Sequence, residues 1–166
     1  MIYSQLNKPA PLGAAALAMG LFAGTVQAEQ VVMSGGWVAS FSPAIMVTAN
    51  SSTTVFELQG SHKLTGTSQG EVYVLTTCVG METATKTADG KTATSGGGRC
   101  ELKDTNGDKL LAAMETEFDG FTLKIQGGTG KWASAQGAIV SKETFTFESD
   151  RQLKGFSNAA GNLSIR

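Results

Sequence analysis

The sequence predicts an all-β fold, a single antiparallel up-and-down β-barrel of about eight strands, and three observations carry that reading. Stretches such as Val55–Leu64 and Ile139–Phe147 alternate in character with a period of two, the period at which a strand turns successive side chains to opposite faces. Turn signals (Asp89-Gly90, Asn106-Gly107, Asp119-Gly120) recur between such stretches, at spacings suited to hairpins. Beyond the first 28 residues only Pro43 remains of three prolines, Thr, Ser and Gly are plentiful, and no long run has the 3.6-residue period of a helix. Strands in this number, joined mostly by hairpins, would leave two exposed edges in an open sheet; closure into a barrel removes both.

Residues 1–28 read as a cleaved signal peptide. Lys8 supplies a positive charge, Leu12–Val26 is an apolar run, and Val26-Gln27-Ala28 offers small residues where a signal peptidase reads. The run is about 15 residues, short of the roughly 20 that a membrane span needs. Residues 29–166 then form one barrel domain, exported to a periplasm or secreted. Without Lys8, twelve basic residues face fourteen acidic ones. No basic stripe exists to suit nucleic acid, and no later segment has membrane-spanning length. In an oxidising compartment Cys78 and Cys100 are expected to form a disulfide.

In order, Glu29–Phe41 is an opening strand with Gly35-Gly36 as a bend or bulge, and Ser42–Thr54, with Pro43 and Asn50-Ser51-Ser52, is a loop. Val55–Leu64 places Phe56, Leu58, Gly60, His62 and Leu64 on one buried face. Thr65–Gly70 turns into the strand Glu71–Met81. Thr83–Gly98 is polar and low in complexity and reads as a long mobile hairpin clamped at its base by the cysteines. Arg99–Asp104 and Lys109–Phe118 are hairpin strands around Asn106-Gly107, and Phe121–Gln126 follows. Ile139, Ser141, Glu143, Phe145 and Phe147 share the inward face of the next strand. Gln152–Phe156, a turn at Ser157–Gly161 and a short strand Asn162–Arg166 close the chain. Asn50 and Asn162 lie in N-x-S sequons, meaningful only in a eukaryotic secretory pathway.

The stretch Ile125–Gly137 (I-Q-G-G-T-G-K-W-A-S-A-Q-G) reads as a tight connection between two long strands. Gly127, Gly128, Gly130 and Gly137 let the backbone bend, with Lys131 in water and Trp132 packed. It is not a phosphate loop: Trp132 stands where Ser or Thr must follow the lysine, and Ile125 where the first glycine belongs. Asp104, Asn106, Asp108 and Glu115 fall at positions 1, 3, 5 and 12 of a calcium loop, but Lys109 occupies the turn position that needs glycine. One histidine and two cysteines exclude a structural zinc site, so no metal and no cofactor are expected.

The same stretch resembles the G-G-T/S-G-x-F/Y-x-G-A-x-G element of the allene oxide cyclase and dirigent barrels. Small exported bacterial proteins of unknown role also carry it, after a segment ending G-x-C and then D-x-(D/N)-G-D. These are the nearest match, through Gly98-Arg99-Cys100 and Asp104-Thr105-Asn106-Gly107-Asp108. The resemblance covers roughly Cys78 to Phe147, with Trp132, Ser134 and Gln136 departing from it. It implies an allene oxide cyclase-like or lipocalin-like barrel and self-association as a trimer or dimer. No catalytic residue of either family can be matched.

Three functions follow. The first is a binding module, holding a small apolar or aromatic ligand in a lumen lined by Phe56, Leu58, His62, Leu64, Glu143, Phe145 and Phe147. A lumen packed solid with side chains is the competing possibility. The second is a cyclase- or isomerase-type enzyme using His62 and Glu143, since burial brings a carboxyl and an imidazole toward neutral-range acid–base work. The third is a structural or oligomeric interaction protein, with Trp37 and Trp132 as core residues or interface anchors.

Overall fold

The computed structural model describes residues 27–117 and 120–165. The signal-peptide reading therefore lies almost wholly outside the described residues. Among the described residues nine strands run in chain order: β1 Glu29–Phe41, β2 Ile45–Thr48, β3 Ser51–Thr67, β4 Gly70–Lys86, β5 Thr92–Asp104, β6 Lys109–Glu117, β7 Gly120–Gly128, β8 Gln136–Ser149 and β9 Gln152–Ser164. Neighbours pair in the order β1-β9-β8-β7-β6-β5-β4-β3-β2, and an additional β1–β3 ladder closes the sheet. The result is the expected antiparallel barrel of eight strands with β2 as an extra, all-exposed strand on β3.

The alternation that predicted the strands also sets the core. Even-numbered residues of β3, β4, β5 and β6 and odd-numbered residues of β1, β8 and β9 point inward, giving Met33, Leu64, Val74, Leu102, Leu110 and Ile139 full burial. Phe56, Leu58, His62 and Leu64 are buried as the pattern required. Cys78 and Cys100 face each other across the β4–β5 ladder, their Cα atoms 4.1 Å apart, and form the disulfide.

Three expectations need correction, while the Thr83–Gly98 hairpin forms as expected. Gly35-Gly36 makes no bulge, because β1 keeps register with both neighbours throughout. The 42–54 loop is largely strand. Pro43 cannot donate to a ladder, so β1 breaks there and β2 resumes alongside β3 in the same direction. The Ser42 hydroxyl repairs the gap by accepting the Val55 N–H at 2.9 Å. The Thr83–Gly98 hairpin is paired almost to its tip: β4 and β5 stay in register to Lys86↔Thr92, since Thr favours strands even in a low-complexity run. Finally, β9 does not turn at residues 157–161. Its small side chains fit the interior, and its backbone is paired on both sides, to β1 and β8.

Replacing both cysteines, in Cys78→Ala/Cys100→Ala, frees a 22-residue loop in the unfolded chain. Urea unfolding should show stability reduced by about 3 kcal/mol with a similar native spectrum, the loop-entropy expectation.

Candidate functional site

The two ends of the barrel differ. At one end the β5–β6 turn and the β7–β8 connection meet. The connection is not a plain tight turn but contains a single 3₁₀ turn, Gly130–Trp132, that drives Trp132 into the lumen with no exposure. Asp104, with no side-chain exposure, organises it. Its Oδ1 accepts the backbone N–H groups of Asn106 (2.8 Å) and Asp108 (3.0 Å). Its Oδ2 accepts the Trp132 indole N–H (3.1 Å) and pairs with the Lys131 ammonium (2.8 Å). Burial pushes the Asp104 carboxyl up, but Lys131, Trp132 and Asn106 together outweigh it and hold it below the ordinary carboxylate range. Lys131 is therefore largely withdrawn from water, with its ammonium 5.1 Å from the Trp132 ring centroid. The Asp108 carboxylate lies against Gly130, where φ is +52° and a Cβ would sit 1.9 Å from an Asp108 oxygen, so only glycine fits. Asp104 and Asp108 of the calcium-like spacing thus serve a plug, while Glu115 pairs with Lys124 at the surface.

At the other end the lumen opens. A funnel of about 520 Å³ is lined by Phe41, Pro43, Ala44, Thr54, Glu82, Ala84, Thr94, Phe145, Phe147, Asp150, Arg151 and Leu153, with Ser42 and Ser52 at its edge. It shares Phe41, Glu82, Phe145 and Leu153 with an inner chamber of about 120 Å³. Trp37, Ala39, Leu58, Met114, Thr116, Glu117, Gly120, Phe121 and Glu143 complete that chamber. Burial raises the Glu82 carboxyl above its ordinary value, opposed in part by the Thr94 hydroxyl.

Between funnel and plug lies a set of inward polar groups. Glu143 Oε2 accepts the Trp37 indole N–H at 2.5 Å and the Ser157 hydroxyl at 3.0 Å, while Oε1 accepts the Ser141 hydroxyl. Ser141 and Ser157 are buried. His62 Nδ1 bonds the buried Thr76 hydroxyl at 2.9 Å, and His62 Nε2 has no hydrogen-bond partner among the described residues. The imidazole rests over Gly35 and Gly60, and the Trp37 ring over Gly155, sites where a Cβ would collide with the ring. Burial alone drives the His62 pKa down to about 4.

The structure divides the sequence-predicted lumen residues. Leu58 and Glu143 line the inner chamber, while Phe56, His62 and Leu64 are buried in the wall and core and line neither cavity. Phe145 and Phe147 are on the inward side of β8 but not buried, at 43% and 71% exposure, because they stand at the open rim. His62 and Glu143 direct their hydrogen bonds to different partners. Glu82 was missed because the β4 pattern was stopped at Met81. Continuing the parity of Cys78 and Gly80 by one step would have turned it inward.

No family model matches the chain, and no curated protein matches it. Among solved structures it is similar to a pterocarpan synthase dirigent protein, at 14% identity and a TM-score of 0.49, over 86% of this chain and 94% of that one. The barrel assignment stands on this chain's own closed ladder.

The neutral, buried His62 makes stability sensitive to acid. The unfolded imidazole binds its proton near the ordinary value of 6.5 and the folded one only near 4, so protons favour unfolding between these values. Stability should be fully present above about pH 6.5 and fall by on the order of 3 kcal/mol by pH 4. Denaturant titrations across this range should show the slope, and His62→Gln should flatten it.

Proposed function

We propose that this protein is a ligand-binding barrel that takes a small apolar or aromatic molecule through its open end. The observation that carries the reading is the funnel leading into the inner chamber. Its size is that of small-molecule sites, which are mostly apolar with a few placed polar groups. Phe41, Phe145, Phe147, Pro43 and Leu153 supply apolar surface, and Glu82 and Thr94 supply polar anchors. The break at Pro43 belongs to this design, since it places Pro43 and Ala44 on the funnel wall.

A cyclase- or isomerase-type reaction has weaker support, because only Glu143 of the two candidates lines the chamber. Export is supported by the leader-like residues 1–28 and by the disulfide. Among the described residues no helix is long and apolar enough to cross a membrane. Self-association as a dimer or trimer is supported by Tyr73, Leu75, Val79 and Met81, exposed along the outer face of β4. Equilibrium sedimentation at micromolar concentration should give a mass above one chain, and a monomer would overturn the assembly.

A neutral fluorescent probe such as N-phenyl-1-naphthylamine should bind with enhanced, blue-shifted emission. Ala84→Trp, which places an indole in the funnel without touching the core, should weaken that binding at least tenfold. Equal binding by this folded variant, or no binding by the parent protein, would overturn the pocket.

A further inference from the structure

We propose that the pocket selects organic cations: an apolar or aromatic body carrying a protonated amine, bound head-inward. This inference rests on the ligand-binding reading and specifies its chemistry. Among the described residues, two carboxylic side chains from inward positions line the inner chamber, Glu82 and Glu143, with no lysine, arginine or histidine, while Glu117 ends β6 at an outward, exposed position. The one basic residue of the funnel, Arg151, belongs to the turn between β8 and β9 at the outer rim. The acid-rich part of the lumen is thus its inner part, and the apolar ring of Phe147 stands further out.

Two features of the chamber favour a cation over a neutral guest. Glu143 is fixed by the Trp37, Ser141 and Ser157 donors, which together hold a carboxylate in place without supplying a counter-charge. Thr116 also lines the chamber, and its buried hydroxyl oxygen has no hydrogen-bond partner among the described residues. Phe41, Phe121 and Phe145 line the same chamber, and aromatic rings attract cations. A neutral guest would remove water from the carboxyls and return no charge. An anion would add like-charge repulsion. The order of affinity is therefore cation, then neutral, then anion.

The test uses three ligands with one body: 1-naphthylmethylamine, 1-naphthylmethanol and 1-naphthoate, titrated calorimetrically into the full-length mature protein at pH 7. The amine should bind at least tenfold more tightly than the alcohol, and the naphthoate most weakly. Glu82→Gln and Glu143→Gln should each reduce the amine-to-alcohol ratio severalfold. An alcohol that binds as well as the amine, a preferred naphthoate, or a ratio unchanged in both folded variants overturns the cation preference and leaves the apolar pocket standing. Failure of all three ligands together with the neutral probe overturns the pocket itself.

Discussion

The structure depends on one buried carboxylate. Asp104 has both oxygens occupied by four donors from two stretches of chain: Asn106 and Asp108 in the β5–β6 turn, and Lys131 and Trp132 in the 3₁₀ turn. An unpaired carboxylate in that position would be several kcal/mol unfavourable, so the arrangement holds only when every donor is in place. That mutual requirement fixes the 3₁₀ turn and Trp132. Removing the indole would cost about 3–5 kcal/mol in lost burial and cavity. With one mouth of the barrel stopped this way, the cavity is confined to the other.

Much of the fold was legible because hairpin turns and alternation are local in sequence. The parity of Val55–Leu64 put Phe56, Leu58, His62 and Leu64 inward, and the spacing of Cys78 and Cys100 allowed their pairing. The misses share a cause. Ser157–Gly161 looked like a turn because Ser, Asn and Gly favour turns in isolation. In the barrel, Ser157 faces Glu143, and the small neighbours fit where large ones would crowd. Likewise Pro43 and Asn50 signalled a loop, while a single strand break with a hydroxyl repair was enough. Propensity was overridden by pairing partners far away in sequence.

The candidate site was less legible than the fold. Strand parity says which way Phe145 and Phe147 point, but not how far along the barrel axis the interior stays filled. That depends on Trp132 reaching in from one end and on strand ends at the other, distances set by register among eight strands. Glu143 was correctly turned inward, yet its three donors come from β1, β8 and β9 and could not be paired from sequence. The lone histidine illustrates the opposite error. Its burial suggested chemistry, whereas its place over Gly35 and Gly60 is that of a wall residue.

The open rim leaves an energetic imbalance that bears on function. Phe145 and Phe147 pack edge-on at 6.1 Å between centroids, yet both keep much of their surface in water, as does Ile45 of β2 near the mouth. Full burial of such side chains is worth about 1.5–3 kcal/mol each, so their exposure forgoes stability that the fold gains elsewhere. The plugged end shows that this chain can fill a lumen completely with its own residues. Aromatic side chains left at an unfilled mouth are therefore surface available to a guest. Binding there would recover part of the forgone burial without any rearrangement of the barrel wall, which the disulfide and the Asp104 cluster hold in place.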